Sequence, residues 1–184
     1  TLVLSVNIPD LGQGSRTTLT QIASQALGIP ENWISVSRAD SSLNPRGAGP
    51  GASQETYITG NAVKRAVEKI QRMCLEIAAS HFKCRIEALE IKDGRVDLIA
   101  NKEISITLSE LSAIAAEQGK VLMATGTYKT ETTLPDENTG LGKPYEEYGY
   151  AAAYTQVLVD TETGEVKVER LVSATDAGRA INPM

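Results

Sequence analysis

The stretch Asp10-Leu-Gly-Gln-Gly-Ser-Arg-Thr-Thr-Leu19 lies between an apolar run at residues 2–6 and a run with helical periodicity that ends at Leu27. The two glycines beside Gln13 let the backbone approach a ligand closely, and Gln13 offers both an amide donor and an acceptor. A helix that starts directly after them would aim its free N–H groups at an anion. The stretch therefore predicts a ligand-binding loop, although Gly-x-Gly alone is also typical of a tight turn.

The first half of the chain predicts two strands and two helices. Residues 2–6 fit a strand buried on both faces, and residues 33–37 alternate as a second strand. The helix between them would be capped by Ser15 or Thr17 and ended by Gly28. Residues 54–82 predict one long helix, in which Gly60 marks a kink or break.

The second half predicts hairpins. Residues 89–99 form one through Asp93-Gly94, and residues 148–160 and 166–174 form another across residues 160–164. Between them we expect a short helix capped by Thr107 or Ser109 and a strand at residues 121–128. Because strands and helices do not alternate strictly, the predicted class is α+β, with mixed sheets, antiparallel hairpins and one long helix.

A second candidate loop, Gly47-Ala-Gly-Pro-Gly-Ala-Ser53, precedes the long helix. It belongs to a longer loop over residues 39–53, and a loop of that length inside a domain is either functional or disordered, the first interpretation being favoured. Its amides and the Ser53 hydroxyl could bind an anionic or heteroaromatic group. Glu55, just beyond it, either points into the site or is an exposed first-turn glutamate stabilised by the helix dipole.

Composition excludes several classes of protein. The 184 residues are 41% hydrophobic and carry a net charge of -5, without a basic stripe, so nucleic acid is not an expected partner. No apolar run reaches the roughly 18 residues of a membrane span, and a cytoplasmic location is predicted. Cys74, Cys84 and His81 show no metal-ligand spacing and are assigned structural roles. The chain therefore offers no catalytic residue and no metal ligand of its own.

Four segments, in order, are similar to one known family. They are residues 10–24; Ala52-Ser53 ahead of residues 57–63; Gly149-Tyr-Ala-Ala; and Asp176-Ala-Gly-Arg-Ala-Ile-Asn-Pro183. Together they resemble the xanthine dehydrogenase and aldehyde oxidase family of molybdenum hydroxylases. The resemblance covers nearly the whole chain and falls in the second molybdenum-cofactor-binding region of the large subunit.

This resemblance implies an enzyme that hydroxylates a heteroaromatic or aldehyde carbon with water as the oxygen source, using a molybdenum–pyranopterin cofactor. It implies [2Fe–2S] and FAD components on partner subunits or domains, and the remainder of the large subunit as a partner. The cofactor contacts it implies are Gly12, Gln13, Gly14, Gly51, Ala52, Ser53 and Glu55. Glu55 departs from the family, because relatives can carry a small hydroxyl residue at this position.

The resemblance also implies that the catalytic glutamate lies beyond residue 184. Residues 1–184 are therefore expected to be an inactive fragment of the molybdopterin-binding domain. A possible subdivision places the cofactor loops in residues 1–82 and the hairpins in residues 83–184, and a homodimer could form through apolar surfaces that are normally covered. Two alternatives stay open: a non-catalytic nucleotide- or anion-binding module, and an assembly domain whose loops bind nothing.

Overall fold

The computed structural model describes residues 1–38, 40–45, 47, 49, 51 and 54–181. The chain forms two compact units, Thr1–Lys129 and Thr130–Met184. The boundary lies further along the chain than the possible subdivision after residue 82. Residues that follow Phe82 belong to the first unit because they share a hydrophobic core with the long helix.

A parallel pair of strands organises the start of the first unit. β1 (Leu2–Leu4) pairs with β2 (Ile34–Val36), and α1 (Ser15–Leu27) connects them. Leu4 is buried with the apolar side of α1, but Val3 is 64% exposed. The expectation of a strand buried on both faces is therefore wrong, because only one face of this two-stranded sheet packs on the core. Since parallel strands end at the same edge, the chain segments that follow β1 and β2 leave from one edge.

The long helix begins with an irregular turn. A π-helical turn, Glu55–Thr59, runs directly into α2 (Gly60–Phe82). The predicted helix over residues 54–82 is confirmed in extent, and Gly60 joins the two helical forms without breaking the helix. α2 contributes Val63 and Val67 to the core shared with α1. Its C-terminal half lies in the second core.

A three-stranded antiparallel sheet forms that second core with α2. It contains β3 (Leu89–Lys92), β4 (Arg95–Leu98) and β5 (Asn101–Thr107), and it leads into α3 (Leu108–Glu117). The hairpin through Asp93-Gly94 is confirmed, with φ values of 50° and 75°.

The structure adds β5 to the predicted elements and decides between the two caps for α3. The polar start of β5 is exposed, so it lacks the alternation that marks a strand in the sequence. Thr107 caps α3 in a reciprocal capping box with Glu110. Of the two predicted caps, Thr107 is therefore the one used.

Residues 121–128 do not form the predicted strand. Instead they lie along α2, where Lys69 Nζ donates to the Thr125 carbonyl at 2.7 Å and Arg65 Nη1 donates to the Thr127 carbonyl at 2.9 Å. Gly126 packs directly on the α2 backbone. Side chains of a helix thus satisfy carbonyl groups that the prediction assigned to a neighbouring strand.

The second unit is built on one long hairpin. β6 (Tyr150–Val159) pairs antiparallel with β7 (Val166–Asp176), as predicted. The turn is closed by the Gly164 N–H, which donates to the Asp160 carbonyl at 2.8 Å, with Gly164 at φ 76°. Antiparallel sheets, a separate parallel pair of strands and one long helix confirm the predicted α+β class. The expectation of mixed sheets is wrong, because each sheet in the described part of the chain is either wholly parallel or wholly antiparallel.

Candidate functional site

The first candidate loop has a backbone that requires glycine at two positions. Gly12 has φ 107° and Gly14 has φ 76°, in the region that L side chains rarely adopt. Above both residues, at the place of a Cβ atom, the space is open. The expected caps, Ser15 and Thr17, are wrong: both lie inside α1, which has no side-chain N-cap.

The Asp10 carboxylate accepts hydrogen bonds from backbone N–H groups that the sequence analysis expected to be free for an anion. Its Oδ1 accepts from the N–H of Gly12 at 3.0 Å and of Gly14 at 3.2 Å, and its Oδ2 accepts from the N–H of Arg16 at 3.5 Å. The bond from Gly12, supported by those from Gly14 and Arg16 and by the Arg16 charge, lowers the pKa of Asp10 below its usual value. In this structure the three N–H groups are therefore bonded to Asp10, and their binding of a ligand stays a prediction.

Asp10 was not among the predicted site residues, although a signal for it existed. Aspartate readily accepts a hydrogen bond from the backbone two residues further on. An aspartate placed two residues before Gly12 is typical of this turn.

The Gln13 carboxamide is fixed by hydrogen bonds to both its nitrogen and its oxygen. Its Nε2 lies 2.6 Å from Ser15 Oγ, 2.8 Å from Glu55 Oε2 and 3.2 Å from the Pro9 carbonyl, while its Oε1 accepts from the Leu11 N–H at 2.7 Å. Three acceptors surround a group with two N–H donors. A carboxamide rotated by 180° would place its oxygen against the carboxylate of Glu55, so the orientation is unambiguous.

Glu55 is buried, with 8% of its surface exposed. The interpretation of Glu55 as an exposed first-turn glutamate is wrong, because the π-helical turn directs its side chain to Gln13. Glu55 Oε1 is enclosed and has no hydrogen-bond partner among the residues that the structure describes. A buried polar atom without a partner costs about 1–3 kcal/mol of stability, and more when the group is charged.

The second candidate loop is described only in part. The Gly51 carbonyl accepts from the Gln54 N–H at 3.1 Å, and Gly51 is exposed. Ala52 and Ser53 lie outside the described residues. The bond between Gln13 and Glu55 nevertheless joins the first loop to the chain just after the second loop, across 42 residues of sequence.

Three further findings concern possible metal ligands, the two cysteines and membrane-spanning helices in the described part of the chain. There, no three His, Cys, Asp or Glu side chains are grouped so that they could hold a metal ion. Burial raises the pKa of the Cys74 thiol to about 11, and Cys84 is a free, half-buried thiol. None of the described helices combines the length and the apolar character needed to cross a membrane.

All 184 residues match the family model of the molybdopterin cofactor-binding domain. The chain belongs to this family. It is 30% identical over 183 residues to the aldehyde oxidoreductase molybdenum-binding subunit PaoC of Escherichia coli K12, covering 100% of this chain and 22% of that subunit. It is 30% identical over 174 residues to the xanthine dehydrogenase/oxidase of Felis catus, covering 95% of this chain and 11% of that protein.

A solved structure shows the same fold. The chain superposes on a crystal structure of Cu,Mo-CO dehydrogenase with a TM-score of 0.75 and 26% identity, over 96% of this chain and 21% of that one. The predicted resemblance to molybdenum hydroxylases, and molybdopterin as the cofactor of the family, are confirmed. The chain spans only about a fifth of the length of several of the curated relatives it matches.

Proposed function

We propose that the chain is the molybdopterin-binding part of an oxidoreductase that hydroxylates a heteroaromatic or aldehyde carbon with water as the oxygen source. The observation that carries this proposal is the hydrogen bond between Gln13 and Glu55, which joins two segments that the family resemblance assigns to one cofactor. The names of two relatives, an aldehyde oxidoreductase and a xanthine dehydrogenase, support the two substrate classes.

The residues present fit a pterin. Glu55 Oε1 is a buried acceptor that has no donor among the described residues. The ring and the exocyclic amine of a pterin carry N–H groups that could donate to it. The open space above Gly12 and Gly14 admits a flat ring close to the backbone. The residues that would hold the cofactor are Gly12, Gln13, Gly14, Gly51, Ala52, Ser53 and Glu55.

When bound, the cofactor supplies the molybdenum at which the carbon is oxidised. This division of work is general for cofactor enzymes, in which the protein binds and orients the reactive group. The first loop would contact the pterin through its backbone, because the carboxamide of Gln13 is already bonded to the protein. The role of Gln13 is therefore to hold the two loops at a fixed separation.

The alternative of a module that binds a free anion has less support from the geometry. The Asp10 carboxylate already accepts from three amides around the start of α1. The buried carboxylate of Glu55 is bonded to the same loop. Two like charges at one loop oppose the binding of a phosphate there.

The context of the chain is part of the same proposal. Its partners would be the remainder of the large subunit, a [2Fe–2S] component and an FAD component, with a small heteroaromatic or aldehyde molecule as the substrate. Without the catalytic glutamate, which the resemblance places on another segment, the 184 residues alone would be inactive. A cytoplasmic location and a homodimer of the isolated chain stay predictions.

The experiment measures molybdenum and pterin in the intact parent polypeptide purified from its own cells. We expect both in the wild type and about tenfold less in Gln13→Ala, which corresponds to about 1.4 kcal/mol of binding free energy. Gln25→Ala is the matched control, since Gln25 is exposed on α1. An empty wild-type protein would overturn the proposal, and equal loading of Gln13→Ala would favour the assembly domain.

A further inference from the structure

Among the predicted site residues that the structure describes, Glu55 is the one whose chemistry the fold does not explain. Its carboxylate is buried, and Oε2 accepts a hydrogen bond from Gln13 at 2.8 Å. Oε1 has no donor, and no ion pair to Glu55 occurs in the described part of the chain. An apolar residue of similar size would fill this place without the cost of burying a charge. The carboxylate is therefore retained at the expense of stability, which is a mark of functional sites.

We propose that Glu55 recognises an N–H edge of the bound heterocycle: Oε2 orients Gln13, and Oε1 accepts a hydrogen bond from a ring or amine N–H of the ligand. This inference rests on the proposed function and assigns one polar contact within it. Glu55 is thus a direct binding residue through one oxygen and a positioning residue through the other. Hydrogen bonds to a charged acceptor are stronger than those between neutral groups.

The arrangement selects a ligand by its donors. A carboxylate offers only acceptors, and the neighbouring Asp10 adds a second negative charge to the loop. An amide-like or amine edge satisfies Oε1, whereas a phosphate oxygen or a carbonyl would be repelled. Because Oε1 is enclosed as well as unpartnered, the atoms that cover it must move before a ligand N–H can reach it, while the bond from Gln13 to Oε2 is kept.

The variant Glu55→Gln in the full-length parent protein distinguishes the roles of the two carboxylate oxygens. Its side-chain oxygen can still accept from Gln13, but its NH₂ group replaces the free acceptor with a donor. The wild type, Glu55→Gln and the control Glu68→Gln are purified from cells that make the cofactor. Pterin content is measured by fluorescence after oxidative release, and molybdenum by elemental analysis. Glu68 is exposed on α2, so its variant makes the same charge change away from the site.

A second readout isolates the binding role from a structural one. The three proteins are also produced in cells that cannot synthesise the cofactor, and their thermal unfolding is recorded. We expect Glu55→Gln to retain at least tenfold less pterin than the wild type, while its cofactor-free form unfolds at the same or a higher temperature. Glu68→Gln should match the wild type in both measurements.

Each other outcome overturns the inference. Equal pterin content in Glu55→Gln and the wild type would show that Oε1 accepts nothing from the ligand. Loss of pterin together with a lower unfolding temperature of the cofactor-free protein would show a structural role only. If Glu55→Gln does not fold, Glu55→Met decides by the same two measurements. A wild type without pterin would instead defeat the proposed function itself.

Discussion

Gly60 and Ile22 touch across the interface between α1 and α2: a Cβ atom added to Gly60 would lie 2.8 Å from Cδ1 of Ile22. α1 follows the loop that carries Gln13, and α2 follows the turn that carries Glu55. Close packing of these helices therefore sets the distance between the two segments of the candidate site.

Gly60→Ala should lower the free energy of unfolding by about 1–3 kcal/mol, because Ile22 must leave its preferred position. Adding Ile22→Val removes the clashing Cδ1 atom. The double variant should then be at least about 0.5 kcal/mol more stable than the sum of the two single effects. Urea unfolding of all four proteins measures this coupling, and strictly additive effects would contradict it.

Gly126 presents a harder constraint, because its neighbour is backbone and cannot rotate away. A Cβ atom there would overlap the carbonyl oxygen of Ala62 and come within 2.6 Å of the Ala66 nitrogen. Gly126→Ala should therefore destabilise the first unit by about 1–3 kcal/mol. Gly149→Ala meets no neighbour and should stay within about 0.5 kcal/mol of the wild type. Equal unfolding free energies for the two variants would show that residues 121–128 do not pack on α2.

The elements predicted correctly are those whose signal is local. The hairpin through Asp93-Gly94, the long helix and the end of α1 at Gly28 follow from turn residues and apolar spacing. The failures at β5 and at residues 121–128 have a tertiary cause. Exposed polar residues begin β5, while carbonyl groups of residues 121–128 are bonded to α2 side chains that lie far away in the sequence.

The site shows the same limit. The positive φ at its glycines could be predicted, because glycine is the residue that adopts this backbone conformation readily. The contact between Gln13 and Glu55 could not, since it spans 42 residues and depends on a π-helical turn for which the sequence has no distinct signal. The bond from the Gly12 N–H to Asp10 could be predicted in principle, because Asp10 lies two residues before Gly12 in the sequence. Only the structure shows that Asp10 thereby occupies N–H groups that the sequence suggested were free.

The two cysteines should differ in reactivity. Cys74 is buried and its thiol has a pKa of about 11, so little reactive thiolate exists near neutral pH. Cys84 is only half-buried. An alkylating reagent at about pH 8 should label Cys84 in the folded protein and label Cys74 only after unfolding. Mass spectrometry of digested samples measures both sites, and rapid labelling of native Cys74 would contradict its place in the core.

The contribution of Asp10 to stability should depend on pH with a defined sign. Its pKa is lowered in the folded protein, first of all by the Gly12 N–H bond, so the folded state favours the ionised form. That contribution is complete above the unfolded value of about 3.9 and is lost as the pH falls through the lowered folded pKa. The difference in unfolding free energy between the wild type and Asp10→Asn should thus be constant near neutral pH.

As the pH falls from about 4 through the lowered folded pKa, that difference should shrink, because both proteins carry a neutral side chain once Asp10 is protonated. Chemical unfolding of the two proteins across this range measures it. A gap that widens in acid would mean that the carboxylate is repelled at the loop and not bound by it. If the expected sign is found, the amides of Gly12, Gly14 and Arg16 are already satisfied at neutral pH. A soluble anion could then bind there only by displacing Asp10.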